Sequence, residues 1–159
     1  ERFRSLNFDH INIHDVALSN NIGKLKFFIP LDANGTKQTG LSSLEYRHGK
    51  CEERIVDVKT LDTYAFDDVK LIKVDVEGHE STLIDGALKT ISSNKPVLLM
   101  EIEQRHNKED ISEIFNKITA FNYKGYFLKE NKFYNLEKFI VKKFQSLEQF
   151  GDLDSYINN

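Results

Sequence analysis

One cysteine, one methionine, two prolines and no tryptophan occur in 159 residues, and each scarcity excludes something. A lone Cys51 permits no internal disulfide and no multi-cysteine zinc site; this fits a reducing compartment, and the cytoplasm is the expected location. The longest apolar runs, such as Pro96-Val97-Leu98-Leu99-Met100, stop far short of the ~20 residues that span a bilayer. No signal peptide is visible. The eight glycines contain no Gly-x-Gly pair, hence no dinucleotide fingerprint and no phosphate loop. There is no Gly-x-Ser-x-Gly nucleophile elbow and no His-Glu-x-x-His zinc helix. Residue 1 is glutamate and the sole methionine is Met100, so the expectation is a chain read from further upstream.

What is present builds a core. Apolar residues make up 40% and charged residues 30%, with twelve Phe and six Tyr, a balance that excludes disorder and suits one domain over residues 1–159. The net charge of −3 argues against a dedicated nucleic-acid binder, which carries a basic stripe.

Phe3 and Leu6 stand at helical spacing, as in the last turns of a helix. Residues 10–18 alternate and then turn apolar, which predicts a strand. A turn around Asn20, Asn21 and Gly23 leads to a second strand over 24–29, stopped by Pro30. Residues 31–49 are polar and read as an exposed, mobile connection. A strand is predicted over 51–58 and another over 70–76. A single amphipathic helix follows, carrying Leu83, Ile84, Ala87, Leu88 and Ile91 on one face. Asn94-Lys95 breaks it before a buried strand over 96–103. Asn107 is the expected cap of the next helix, whose stripe is Ile111, Ile114, Phe115 and Ile118. Residues 123–128 and 133–136 flank a hairpin turn. Strand, helix, strand, helix, strand is an α/β pattern.

In such sheets, ligands sit beyond the carboxyl ends of the strands. Acidic groups fall at that edge: Asp15, the pair Asp75 and Glu77, and the pair Glu101 and Glu103. Asp75-Val76-Glu77-Gly78-His79-Glu80 brings three carboxylates and an imidazole into six residues. A purely structural reading makes Glu77 and Glu80 first-turn acids that favour a helix N-terminus. It suits Glu80. Asp75 is harder to explain so, because an acid inside a buried run costs several kcal/mol unless it is paired or functional. His and carboxylate together also suit a metal, so a metal-dependent hydrolase using Asp75, Glu77, His79 and Glu80 is one alternative; a non-catalytic interaction domain is another. His10 and His14 read as solvated, His48 and His106 as loop residues without a role, and Cys51 as a partly buried thiol.

The residues Ile72-Lys73-Val74-Asp75-Val76-Glu77-Gly78-His79-Glu80, then Leu83-Ile84-Asp85-Gly86-Ala87 and Pro96-Val97-Leu98-Leu99-Met100-Glu101, resemble the FkbM family of S-adenosylmethionine-dependent methyltransferases. Val16-Ala17-Leu18-Ser19 with Gly23, Leu41-Ser42-Ser43-Leu44 and Val58-Lys59-Thr60-Leu61-Asp62 support the likeness in the same order. The resemblance implies a Rossmann-like class I methyltransferase sheet in which residues 10–18, 70–76 and 96–103 are the third, fourth and fifth strands. It implies an incomplete sheet: the first two strands, with the glycine-rich cofactor loop and the ribose-binding acid, would precede Glu1, and the closing strand would follow Asn159. The edges beside the third and fourth strands would then favour association. It further implies S-adenosylmethionine as cofactor, with Asp15, Val16, Ala17 and Asp75 bordering it. Asp75 is the implied base for a hydroxyl acceptor on a sugar, glycan or small metabolite, with Glu77 and Glu101 orienting. No metal is called for. The 159 residues alone are expected to be inactive.

Overall fold

The computed structural model describes residues 10–46 and 49–145. Phe3, Leu6 and His48 lie outside the described residues.

Of the strand expected over 10–18, only β1 (Ala17–Leu18) pairs. It runs parallel to β3 (Cys51–Lys59), with Ala17 opposite Val58. On the far side of β3 lies β2 (Gly23–Pro30), antiparallel, from Gly23 opposite Val58 to Pro30 opposite Cys51. Pro30 thus closes β2 from within. A terminal position suits a residue without an N–H to give. Val58 is flanked on both sides and is almost fully buried. The polar connection after Pro30 is tied down rather than loose. Asp32 accepts the N–H groups of Asn34 and Thr36, and Phe28 and Ser43 exchange backbone hydrogen bonds in both directions.

The second sheet is a parallel pair, β4 (Leu71–Val74) and β5 (Val97–Met100), in register from Leu71 opposite Val97 to Val74 opposite Met100. Parallel neighbours need a long crossover, supplied here by α1 (Glu80–Asp85) and α2 (Leu88–Asn94). The sequence predicted one helix there, and the structure divides it at Gly86-Ala87. Two contacts from distant segments cause the division. A Cβ at Gly86 would collide with the backbone of Ser19, so only glycine lets β1's end approach this closely. The Asp62 carboxylate then accepts the N–H groups of Lys89 and Thr90 and the Thr90 hydroxyl, giving α2 its own N-terminal cap from outside the helix. Leu83, Ile84, Ala87 and Ile91 still face inward, whereas Leu88 is turned to solvent.

The core joins Ile84, Ala87 and Ile91 to Ile111 and Ile114 of the next helical segment, with Ile72, Leu98 and Met100 packed on it from one face of β4–β5. Leu71, Val97 and Leu99, on the other face, are exposed. α3 (Ser112–Thr119) begins after Asp110, whose carboxylate accepts the Ser112 N–H; Asn107, the predicted cap, is engaged elsewhere. β6 (Tyr126–Lys129) and β7 (Lys132–Asn135) form the expected hairpin, turned by Glu130 and Asn131 at positive φ as a two-residue hairpin requires. Phe127 packs it against Phe139 and Phe144, the latter in α4 (Val141–Phe144).

The α/β class stands, but the single sheet expected to hold all three parallel strands does not appear among the described residues: β1 lies with β2 and β3, while β4 and β5 form their own pair. An apolar groove is lined by Leu18 of β1, Leu71 to Val74 of β4, and Leu61, Phe66 and Val69. No helix among the described residues is long and apolar enough to cross a membrane.

Asp62 supplies a direct test of the split helix. Burial pushes its carboxyl up, but the hydrogen bonds from Thr90 and Lys89 outweigh that and hold it below the usual range. A carboxyl held low in the folded state stabilises above its unfolded pKa of about 3.9 and loses that contribution as pH falls through the folded value. Asp62→Ala is therefore expected to lower unfolding free energy by about 1–2 kcal/mol at neutral pH. In urea titrations, the difference from the parent should shrink below pH 3.

Candidate active site

β4 ends at Val74, whose carbonyl accepts the Glu101 N–H, and the chain then reverses through Glu77 (φ 52°) and Gly78 (φ 91°). Two successive left-handed residues turn the backbone sharply, and the one that is not glycine does so at a cost. Several contacts hold the reversal. Glu80, 1% exposed, accepts the Gly78 N–H at 2.8 Å and the Asn107 amide at 3.2 Å. The Ser43 hydroxyl donates to the Val76 carbonyl. His106 Nδ1 lies 2.6 Å from Glu77 Oε2. At Gly78, any Cβ would fall on the His106 carbonyl oxygen, so residue 78 must be glycine both for its φ and for the space it leaves.

His79 points away from this edge into the body of the protein. Its Nδ1 lies 2.9 Å from Glu45 Oε1 and its Nε2 3.0 Å from Ser19 Oγ. A carboxylate only accepts, so Nδ1–H donates to Glu45 and Nε2 faces the serine hydroxyl; the same hydrogen bond holds the Glu45 carboxyl low against the opposing effect of burial. Serine, histidine and carboxylate in this order resemble a nucleophile triad. Ser19 is 1% exposed, so no substrate reaches it, and the trio instead pins β1 to the start of α1. The predicted metal set of Asp75, Glu77, His79 and Glu80 is accordingly not assembled, because His79 and Glu80 are spent on holding the turn.

What does converge is Asp75, Glu77 and Glu101, one oxygen of each lying within 4.8 Å of the others. Asp75 sits beyond the strand and is exposed, paired with Lys73 Nζ at 2.8 Å. The expectation of an acid within a buried run is therefore corrected: the strand ends at Val74, two residues short of its predicted end, and leaves Asp75 outside it. Burial, and after it the charges of Asp75, Glu103 and Glu77, raise the Glu101 carboxyl, with Lys73 opposing. Glu103 grips the Arg105 guanidinium through both oxygens, at 2.5 and 3.3 Å. Asp15, Val16 and Ala17 stand at the head of β1 in the other sheet, Asp15 exposed and the two apolar residues half-buried. The carboxylates at the ends of both parallel strands make a negative edge able to orient a hydroxyl group, accept its proton or face a cation.

A family model for the methyltransferase FkbM domain matches residues 4–128. The chain belongs to the FkbM methyltransferase family. Neither the curated proteins nor the solved structures contain a significant match. The matched span of this FkbM domain takes in β1 through β5, all but the last residue of β6, and every residue of the carboxylate edge.

Sequence reasoning missed the residues that hold the edge in place. His106, read as a loop histidine without a role, is buried against Glu77, and Asn107 holds Glu80 rather than capping α3. Their position just past Glu103, at the carboxyl end of β5, was the available signal. Ser43 stood only within the 41–44 piece of the resemblance, with no role attached, and Glu45 carried no signal, since a loop far away in sequence brings both in.

Two measurements test this geometry. Gly78→Ala is expected to lower stability by about 2–4 kcal/mol, from left-handed strain together with the clash at His106, as read by chemical denaturation. Glu101→Gln acts in the opposite direction. A carboxyl raised in the folded state favours folding while protonated, and this contribution disappears as pH rises through the folded value. The variant should therefore melt higher than the parent at pH 7 and match it near pH 3.

Proposed function

We propose that this FkbM domain is part of an S-adenosylmethionine-dependent methyltransferase that acts on a hydroxyl of a sugar, glycan or other small metabolite in the cytoplasm. The observation that carries the reading is the convergence of Asp75, Glu77 and Glu101 at the carboxyl ends of two parallel strands, where α/β proteins bind ligands.

The cofactor supplies an electrophilic methyl group on a positively charged sulfur. An edge with three carboxylates suits that charge, and Asp15, Val16 and Ala17 would border the adenine. Transfer to oxygen depends chiefly on aligning the acceptor. Asp75, exposed and the first residue beyond β4, accepts the hydroxyl proton, a step worth about 10²–10⁴-fold in general-base catalysis. Glu77 and Glu101 orient the acceptor. A glycine loop and a ribose-binding acid, which the family resemblance implies, would complete the cofactor site.

The test measures label transfer from radiolabelled S-adenosylmethionine to a panel of hydroxyl acceptors. It uses these 159 residues alone and fused behind the glycine-loop strands of another FkbM-domain methyltransferase, with circular dichroism confirming the fold. Transfer is expected in the fusion and not in the chain alone. Within the fusion, Asp75→Asn should reduce the rate at least ~100-fold with the fold intact. Turnover by the isolated chain, or wild-type rates in Asp75→Asn, would overturn the corresponding assignment.

A further inference from the structure

We propose that His106 is a positioning residue whose buried imidazole holds the Glu77 carboxylate in the cluster with Asp75 and Glu101. Nδ1 lies 2.6 Å from Glu77 Oε2, with the two side chains only 7% and 13% exposed. Glu77 needs to be held there. Its oxygen stands within 4.8 Å of two other carboxylates, whose like charge drives it towards solvent. Its backbone, at φ 52°, adopts a conformation that only surrounding contacts sustain. An imidazole N–H on a carboxylate forms a charge-assisted hydrogen bond, strong enough to oppose the repulsion.

The backbone fixes where the ring stands. Because Gly78 has no side chain, its Cα rests against the His106 carbonyl, which sets the ring's height above the turn. Asn107 grips the same turn through Glu80, but of these two contacts that of His106 reaches the cluster. The assignment rests on the methyltransferase reading only for its catalytic consequence: acting through Glu77, His106 orients the acceptor without touching the reacting atoms. The hold itself is measurable without catalysis.

Carbon-13 carboxyl NMR on the full chain follows Glu101, which faces Asp75, Glu103, Glu77 and Lys73. Glu77→Gln removes one like charge and is expected to move the Glu101 midpoint down. His106→Leu should move it the same way, as Glu77 swings out. His106→Asn, whose amide nitrogen occupies the place of Nδ1, should leave it unchanged. His106→Gln carries its amide one bond further out and should behave like the leucine variant, which keeps the test decisive if leucine fails to fold. An unmoved Glu101 in His106→Leu or His106→Gln, beside a shift in Glu77→Gln, would overturn the proposal. So would an unmoved Glu101 in Glu77→Gln, since Glu77 would then lie outside the cluster. In the active fusion, the leucine and glutamine variants should lower kcat about 10–100-fold with KM for the methyl donor unchanged, and asparagine should restore most of it. If Asp75→Asn is inactive while the His106 variants turn over normally, the positioning role fails and the methyltransferase reading stands. If every variant, including Asp75→Asn, runs at the parent rate, the cluster has no catalytic part, and the positioning role of His106 and the assignment of Asp75 as base both fail.

Discussion

The contact on which the candidate site depends is a close one between backbones: Gly78 resting on the carbonyl of His106. A methyl group at residue 78 would push the segment after β5 away from the turn after β4. With that approach secured, Glu77 meets His106 and Glu80 meets Asn107, so the ends of two parallel strands become one surface. The strand pairing alone does not achieve this, because both strands have ended before the carboxylates begin. The backbone hydrogen bond from Glu101 to Val74 sets the separation of the two strand ends, and the glycine sets how tightly the chains fold over them.

The same economy of space operates on the other side of the turn. Gly86 lets β1's end lie against the break between α1 and α2, and His79 fastens that end through Ser19. Asp62 then caps the second helix. These contacts tie the three-stranded sheet to the β4–β5 pair, although no strand hydrogen bond joins the two among the described residues. The polar residues of the Asp75–Glu80 segment thus divide into two groups. Asp75 and Glu77 converge with Glu101. His79 and Glu80 are buried and keep that pair in place.

Much of the local order was legible in the residues. Short apolar runs announced β4 and β5; the helical offsets picked Leu83, Ile84, Ala87 and Ile91 for the core; and Lys95, in a left-handed conformation, ends α2 where the break was expected. The FkbM resemblance rested on Asp75 to Glu80 and is shown by the family match. The errors share a cause. Leu88 was placed on the apolar face because periodicity assumes an unbroken helix, and the break comes from Asp62 and Ser19, which lie far off in sequence. Asn107 has the chemistry of a cap, yet a buried carboxylate competes for its amide and Asp110 takes its place. The strand over 10–18 was overextended because alternation reports a compatible side-chain pattern and not the presence of a neighbour to pair with.

The sequence by itself determined the α/β class, the family, and the identity of the carboxylates at the strand ends, because these follow from short-range pattern and from motifs that neighbouring residues spell out. The tertiary structure decided which of those acids face one another, which histidine serves them, and which polar groups are structural. Those choices depend on contacts between residues some thirty positions apart in the chain, such as Glu77 with His106 and Glu45 with His79. They require close approaches that only glycine at 78 and 86 allows, and no local pattern encodes what an absent side chain will rest against.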